Sequence, residues 1–220
     1  MSNLRTGIYG DYYGSHITES APLNQAQMEV NATYIYSFLT AQGWTINSIA
    51  ALLGNMTAES SINPGRWQSD SVGWESGGYG LVQWTPTTKY LDWCTEMGYE
   101  DPSEMDNNLA RILYEVGNNL QWIATSAYDL TFSEFTKSSE SPSELAKAFL
   151  LNYERPADQS ETVQAYRGGL ADDWYTYLTG TDPAPPTPDT PETPSVSKRK
   201  RKYNFVLFGN KAWRKRQWQS

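Results

Sequence analysis

One acidic residue stands on a helical face that is otherwise apolar. From Thr45 the chain reads TINSIAALLGNMTAESS, in which Ile49, Leu52, Leu53 and Met56 recur at the spacing of one side of a helix. Glu59 follows Leu52 by seven residues and Met56 by three, so at about 100° per residue it shares that side. A carboxylate there is disfavoured twice, by the negative end of the helix macrodipole and by removal from water. Both effects are expected to raise its pKa. A carboxylic acid that keeps its proton near neutral pH can serve as a general acid, handing that proton to a leaving group such as a glycosidic oxygen. The competing reading is a structural acid, satisfied by a helix cap or by an arginine such as Arg66.

Other chemistries have few residues to work with. A single cysteine, Cys94, and a single histidine, His16, exclude an intrachain disulfide and a Cys-His zinc cluster, and leave little room for a Ser-His-Asp triad. Neither a metal nor another cofactor is expected. Cys94 beside Trp93 reads as a small buried hydrophobe and His16 as a surface residue. No apolar run approaches the ~18 residues of a membrane span, and MSNLRTGIYGDYYG lacks the basic patch and apolar core of a signal peptide, so neither feature is expected.

The elements that must position Glu59 read mostly as helices. With 220 residues, of which 39% are hydrophobic and 14% aromatic, the chain can bury a core of ordinary size. Asn24 and Gln27 form a capping box for a helix through Met28, Ile35, Phe38 and Leu39, closed by Gly43. Thr45 caps the helix carrying Glu59, which Asn63-Pro64-Gly65 must end. The most regular stripe runs from Ser103 through Leu109, Ile112, Leu113, Val116, Leu120 and Ile123, and is expected to be the central buried helix. Ser141-Pro142-Ser143-Glu144 opens a short helix to Tyr153, stopped by Pro156. Ser160 opens the last, with Val163, Arg167, Leu170, Trp174 and Leu178 on one face and Gly168-Gly169 marking a close crossing. Residues 66–90, RWQSDSVGWESGGYGLVQWTPTTKY, lack a helical period and suit an irregular segment or short hairpin.

Charge divides the chain. Residues 1–197 hold all 25 acids and 8 of the 17 basic residues, a net −17, whereas residues 198–220 carry +9. Between the two, half of the twelve prolines fall from Pro183 to Pro194, the composition of an extended spacer. The expected organisation is therefore a leader (1–22), a globular domain (23–180), a proline-rich linker (181–197) and a basic aromatic tail (198–220). The tail, with a turn signal at Gly209-Asn210, suits an anionic partner such as a cell-wall polymer, or a virion component. It carries no nucleic-acid motif, so no specific nucleic-acid partner is expected, and the acidic body opposes one.

AESSINPG (58–65), followed roughly twenty residues later by GGYGLVQWTP (77–86), resembles the catalytic segment of lysozyme-like peptidoglycan glycosidases. In these a glutamate-serine pair closes a helix and a G-x-G-L-x-Q stretch lines the sugar cleft. The run from about Leu23 to Gly180 is most similar to the lysozyme domain of bacteriophage tail proteins, related to goose-type lysozymes and soluble lytic transglycosylases. The resemblance implies an α+β lysozyme-like fold and a muramidase cleaving the β-1,4 bond between N-acetylmuramic acid and N-acetylglucosamine. Its implied setting is cell-wall penetration or lysis, in the virion tail or after release from the infected host. Glu59 would be the general acid. Ser60, Tyr79, Gly80, Leu81 and Gln83 would shape the glycan site, and AFLLNYERP would return Tyr153 and Glu154 to the cleft.

Departures from the family pattern leave the second step open. Of two acids flanking G-x-G-L-x-Q in goose-type enzymes, one has a near match in Glu75, displaced by one position, and the other is replaced by Thr85. Glu75 is the expected base or stabiliser, with Asp70 and Glu154 as further acids able to hold a water. Lytic transglycosylases need no such base, because the sugar's own 6-hydroxyl attacks. A non-catalytic glycan-binding or tail structural protein is the remaining alternative. Among the aromatic residues Trp67, Trp74, Tyr79 and Trp84, Tyr79 is placed best for sugar stacking. Gln83, polar in an apolar run, needs a hydrogen-bond partner when buried.

Overall fold

The computed structural model describes residues 3–180. The expected linker and basic tail, including the turn at Gly209-Asn210, lie outside the described residues. Among the described residues seven α-helices and one hairpin make up the fold: β1 (Asn3–Gly7), β2 (Gly10–Gly14), α1 (Gln25–Ala41), α2 (Ile46–Ser60), α3 (Thr88–Met97), α4 (Met105–Asn118), α5 (Phe132–Lys137), α6 (Pro142–Phe149) and α7 (Glu161–Gly180). This is the expected mostly helical, α+β lysozyme-like class.

Capping chemistry sets the helix starts. The Asn24 side chain accepts from the Gln27 amide while the Gln27 side chain accepts from the Asn24 amide in return, and the Thr45 and Ser141 side chains accept from the Ser48 and Glu144 amides. Helix ends differ more from expectation. α2 stops at Ser60, before Asn63-Pro64-Gly65, because Ser61 and Ile62 both turn left-handed (φ 54° and 51°). α4 stops at Asn118, where Asn119 is left-handed (φ 49°), a conformation asparagine tolerates. Leu120 and Ile123 are consequently 40% and 59% exposed rather than part of a helical stripe. Trp122, between them, is buried, but on irregular chain.

The central helix is α2, not the segment starting at Ser103. Every residue of α2 from Ser48 to Met56 is buried, and the helix packs on α1, α5, α6 and α7. The period of α4 is the more regular because one of its faces meets solvent, whereas α2 is enclosed on most sides. Close approach of α7 depends on Gly54, where an added Cβ would lie 2.8 Å from the Ala171 backbone nitrogen. At Gly168 a Cβ would come within 3.1 Å of Ser143 in α6.

The stretch expected to be a leader is folded. β1 and β2 pair antiparallel, Gly7 opposite Gly10, and β2 packs on α1. The hairpin was illegible because β1 contributes no buried apolar residue to match the enclosed Tyr12 of β2. Arg5 and Tyr12 pair across it, while Leu4 is 57% exposed. Arg5 reaches the α3–α4 connection, donating to Asp101 at 2.6 Å and to Ser103. His16, just after it, is exposed as expected. Helices α3 and α5, absent from the sequence expectation, are short. α3 begins within the aromatic segment, and α5 rests on a Thr131–Glu134 capping box.

Gly54→Ala is expected to force α7 from α2 and destabilise the fold by about 1–3 kcal/mol. Gly169→Ala, where a Cβ meets open space, is expected to gain up to about 1 kcal/mol from helix propensity. Urea unfolding followed by far-UV circular dichroism measures both.

Candidate functional site

A cleft of about 710 Å³ opens at the C-terminal end of α2, and Glu59 lies in its wall. The helical face that buries Leu52 and Met56 reaches the rim of the core here, leaving the Glu59 side chain 23% exposed. The arginine that meets it is Arg167 of α7; Arg66 pairs instead with Asp70 at 3.2 Å. Nη2 of Arg167 donates to Glu59 Oε1, and Nη1 donates to the Asn55 carbonyl at 2.8 Å. Trp174 on the same face of α7 donates to Thr57 Oγ1 at 2.7 Å, fixing the register of α7 against α2.

A second carboxyl completes this cluster. After Phe149 the α6 helix widens into a π turn, Leu150–Glu154, closed by the Arg155 amide on the Leu150 carbonyl and ended by Arg155 in a left-handed conformation. The turn delivers Glu154 against Glu59 and Arg167, with Arg167 Nη1 3.5 Å from Glu154 Oε2. The Glu154 side chain is 5% exposed, and no N–H or hydroxyl of the described residues donates a hydrogen bond to either oxygen. Its neighbour is another carboxyl. Burial first, and the negative Glu59 beside it second, hold the Glu154 carboxyl well above the ordinary range against the pull of Arg167.

The opposite wall comes from the aromatic segment, which forms isolated bridges at Trp67–Tyr79 and Tyr79–Trp84 instead of a regular hairpin. Its turn needs Gly80 at φ 82°, where a Cβ would stand 2.6 Å from Asn108 Oδ1. Asn108, from α4, accepts from the Leu81 amide at 3.0 Å and donates to the Pro102 carbonyl. Ser60 bridges α2 to this loop, donating to the Leu81 carbonyl at 2.8 Å. Gln83, also left-handed, donates from Nε2 to the carbonyls of Arg66 and Gly80. Tyr153, fully enclosed, donates its hydroxyl to Glu115, which also accepts from Trp84 Nε1 at 3.0 Å and Arg111 Nε at 2.9 Å.

Of the residues expected in the site, Glu59, Gln83, Tyr153 and Glu154 line the cleft. Ser60, Tyr79, Gly80 and Leu81 are buried behind its surface, where they shape the wall without facing the opening. Tyr79 is fully enclosed, edge-on to Trp67 and stacked on Tyr90. Trp67 and Trp84 are buried residues of the cleft lining, and Trp74 is the exposed ring of the four. Glu75 is exposed on the 71–77 turn and outside the cleft lining. Its backbone carbonyl, held by Thr87, makes its contact with the fold. Arg167, Asn108 and Glu115 were missed as site-building residues. For Arg167 and Glu115 a signal existed, a charged residue inside an apolar helical stripe, the same signal that singled out Glu59.

A mostly helical α+β fold, with a glutamate-serine pair closing a buried helix at the edge of an open cleft, defines a lysozyme-like protein. More narrowly, the chain belongs to the phage tail lysozyme family, whose model matches residues 30–178. It is also 50% identical over 163 residues to Morphogenesis protein 1 of Bacillus phage B103, a match that covers 74% of this chain and 43% of that protein. The chain thus spans less than half the length of this relative.

Two outcomes follow from the buried acids. Glu115→Ala would leave the Trp84, Tyr153 and Arg111 donors without their acceptor, and is expected to destabilise the fold by about 3–5 kcal/mol in denaturant titrations. Because the native pKa of Glu154 lies above its ordinary value of 4.5, the stability it contributes is fully present below that pH and is lost as pH rises through the native value. In thermal melts from pH 4.5 to 8, Glu154→Gln should lose less stability than the parent over that rise.

Proposed function

We propose that this protein is a peptidoglycan muramidase that cleaves the β-1,4 bond between N-acetylmuramic acid and N-acetylglucosamine, with Glu59 as general acid. The observation that carries the reading is that Glu59 is the one partly exposed carboxyl among the described residues lining the cleft, since Glu154 is enclosed. A leaving oxygen can approach Glu59 from the cleft, while α2 and Arg167 fix the carboxyl from behind. Membership of the phage tail lysozyme family supports the same chemistry. Gln83, in the wall, is the expected residue nearest a bound glycan.

The setting proposed is a bacteriophage virion tail that opens the host wall during infection. The family description and the morphogenesis name of the phage B103 relative support it. Residues 198–220, at +9, would serve contacts with anionic wall polymers or other virion proteins.

One observation favours a second reading. An inverting hydrolase places its base about 6.5–9.5 Å from the acid, with water between. Glu154 meets the same guanidinium as Glu59, and Glu75 is outside the cleft lining. A site without a second exposed carboxylate suits attack by the muramic 6-hydroxyl, the lytic transglycosylase reaction. Product mass separates the two.

Mass spectrometry of muropeptides released from purified sacculi by the 220-residue chain should show reducing muramic ends. Glu59→Gln should lower release by at least about 100-fold, the scale of a lost general acid. Anhydromuramic ends would move the protein to the transglycosylases. Intact sacculi with both proteins would overturn the enzymatic reading.

A further inference from the structure

An arginine bonded to a general acid is a contradiction. A carboxyl held by a guanidinium is favoured in its ionised form, and an ionised Glu59 has no proton to give. Glu154 resolves it. We propose that Glu154 is a positioning residue for the acid, sharing one proton with Glu59 inside the Arg167 clamp, so that Glu59 can present that proton to the cleft. The inference rests on the glycosidase reading above.

The geometry supports sharing. Both Glu154 oxygens are buried and receive no N–H or hydroxyl hydrogen bond, and Oε2 lies 3.5 Å from Nη1 of the same guanidinium whose Nη2 holds Glu59 Oε1. An ionised carboxylate without donors is costly in such a place, whereas a protonated one can itself donate to Glu59. Two carboxyls, one proton and one guanidinium make a neutral cluster; removing the proton leaves a net negative charge on groups withdrawn from water. The proton therefore belongs to the pair. When it sits on Glu154, Glu59 is the carboxylate that accepts it. When it sits on Glu59, Glu154 is the carboxylate facing Arg167 Nη1. Glu59, being the partly exposed member, is where the proton leaves.

The charged groups around the pair come from every side of the cleft. Glu59 projects from α2 and Arg167 from α7, while Arg66, Lys89 and Arg155 line the open side. Behind Tyr153, Glu115 and Arg111 satisfy each other. In the reaction the Glu59 O–H bond breaks as the glycosidic C–O bond breaks. The bonding pair of that C–O bond goes to the leaving oxygen, which takes the proton. Two carboxylates then share one guanidinium. The attacking water, or the 6-hydroxyl, gives up a proton on bonding to the anomeric carbon and restores the neutral cluster.

The test is the pH dependence of glycan release by the full chain and by Glu154→Gln. Glutamine can donate to Glu59 but cannot lend it a proton, so Arg167 is expected to dominate. The alkaline limb should move down by about one pH unit or more, a roughly tenfold or larger loss at pH 7 with activity near pH 4.5 largely kept. A uniform loss with an unmoved limb would overturn the proposal, because a merely structural role scales the whole profile. Carbon-13 titration of the glutamate carboxyls in the unsubstituted chain is independent of activity and of how the variant folds. Glu59 and Glu154 should respond together in widely separated steps, with one proton retained near neutrality. Two independent titrations below pH 5 would refute the sharing. Sacculi left uncut by the parent would instead count against the glycosidase reading, and the titration would still decide whether the proton is shared.

Discussion

Two carboxyl groups meet one guanidinium where α2, the π turn and α7 converge, and much of the architecture exists to let them do so. Burying Glu154 and Arg167 withdraws charges from water, and the Arg167 hydrogen bonds to Glu59 and the Asn55 carbonyl offset part of that penalty. The arrangement holds only if α7 lies close on α2, which Gly54 allows and the Trp174–Thr57 bond registers. It also needs α6 to widen at its end. A regular α-helix through residue 154 would rotate that side chain to another face.

The facing wall obeys a different constraint. Residues 66–87 form turns and isolated bridges rather than a regular ladder, and side chains supplement the segment's own backbone bonds. Asn108 serves Leu81, Ser60 serves the Leu81 carbonyl, and Gln68 serves Gly78. The aromatic rings fill the volume beneath. Trp84 stacks on Tyr90 at 4.5 Å and is pinned by Glu115, which also holds Tyr153 from the opposite side of the cleft. A single buried acid thus joins both walls, while Glu59 lies at the rim. The two glutamates have similar sequence signatures and different partners.

Local rules made much of this protein legible. The caps at Asn24, Thr45 and Ser141 mark helix starts because a side-chain oxygen and an orphan amide sit three residues apart. The placement of Glu59 follows from helical period alone. Helix ends were less readable at Ser60 and Asn118, where non-glycine residues adopt left-handed backbone, and the hairpin escaped because β1 contributes no buried apolar residue. Tyr79, the aromatic judged best for sugar contact, is enclosed by the packing of Trp67 and Tyr90.

What the sequence determined by itself was the position of one carboxyl on an otherwise apolar helical face. With one histidine and one cysteine in the chain, a carboxyl is the acid the sequence offers most readily, and Glu59 stands out against an apolar stripe. Which groups surround that acid was decided only by tertiary structure. Arg167 is 108 positions from Glu59 along the chain and Glu154 lies on another element again. No local period relates them, because their meeting depends on the crossing of α2 and α7 and on a π turn whose extra residue is set by packing. The same distant contacts leave Glu75 outside the cleft lining. Charge, burial and proton affinity at the site are properties of that convergence, and a one-dimensional pattern carries no record of which helices will cross.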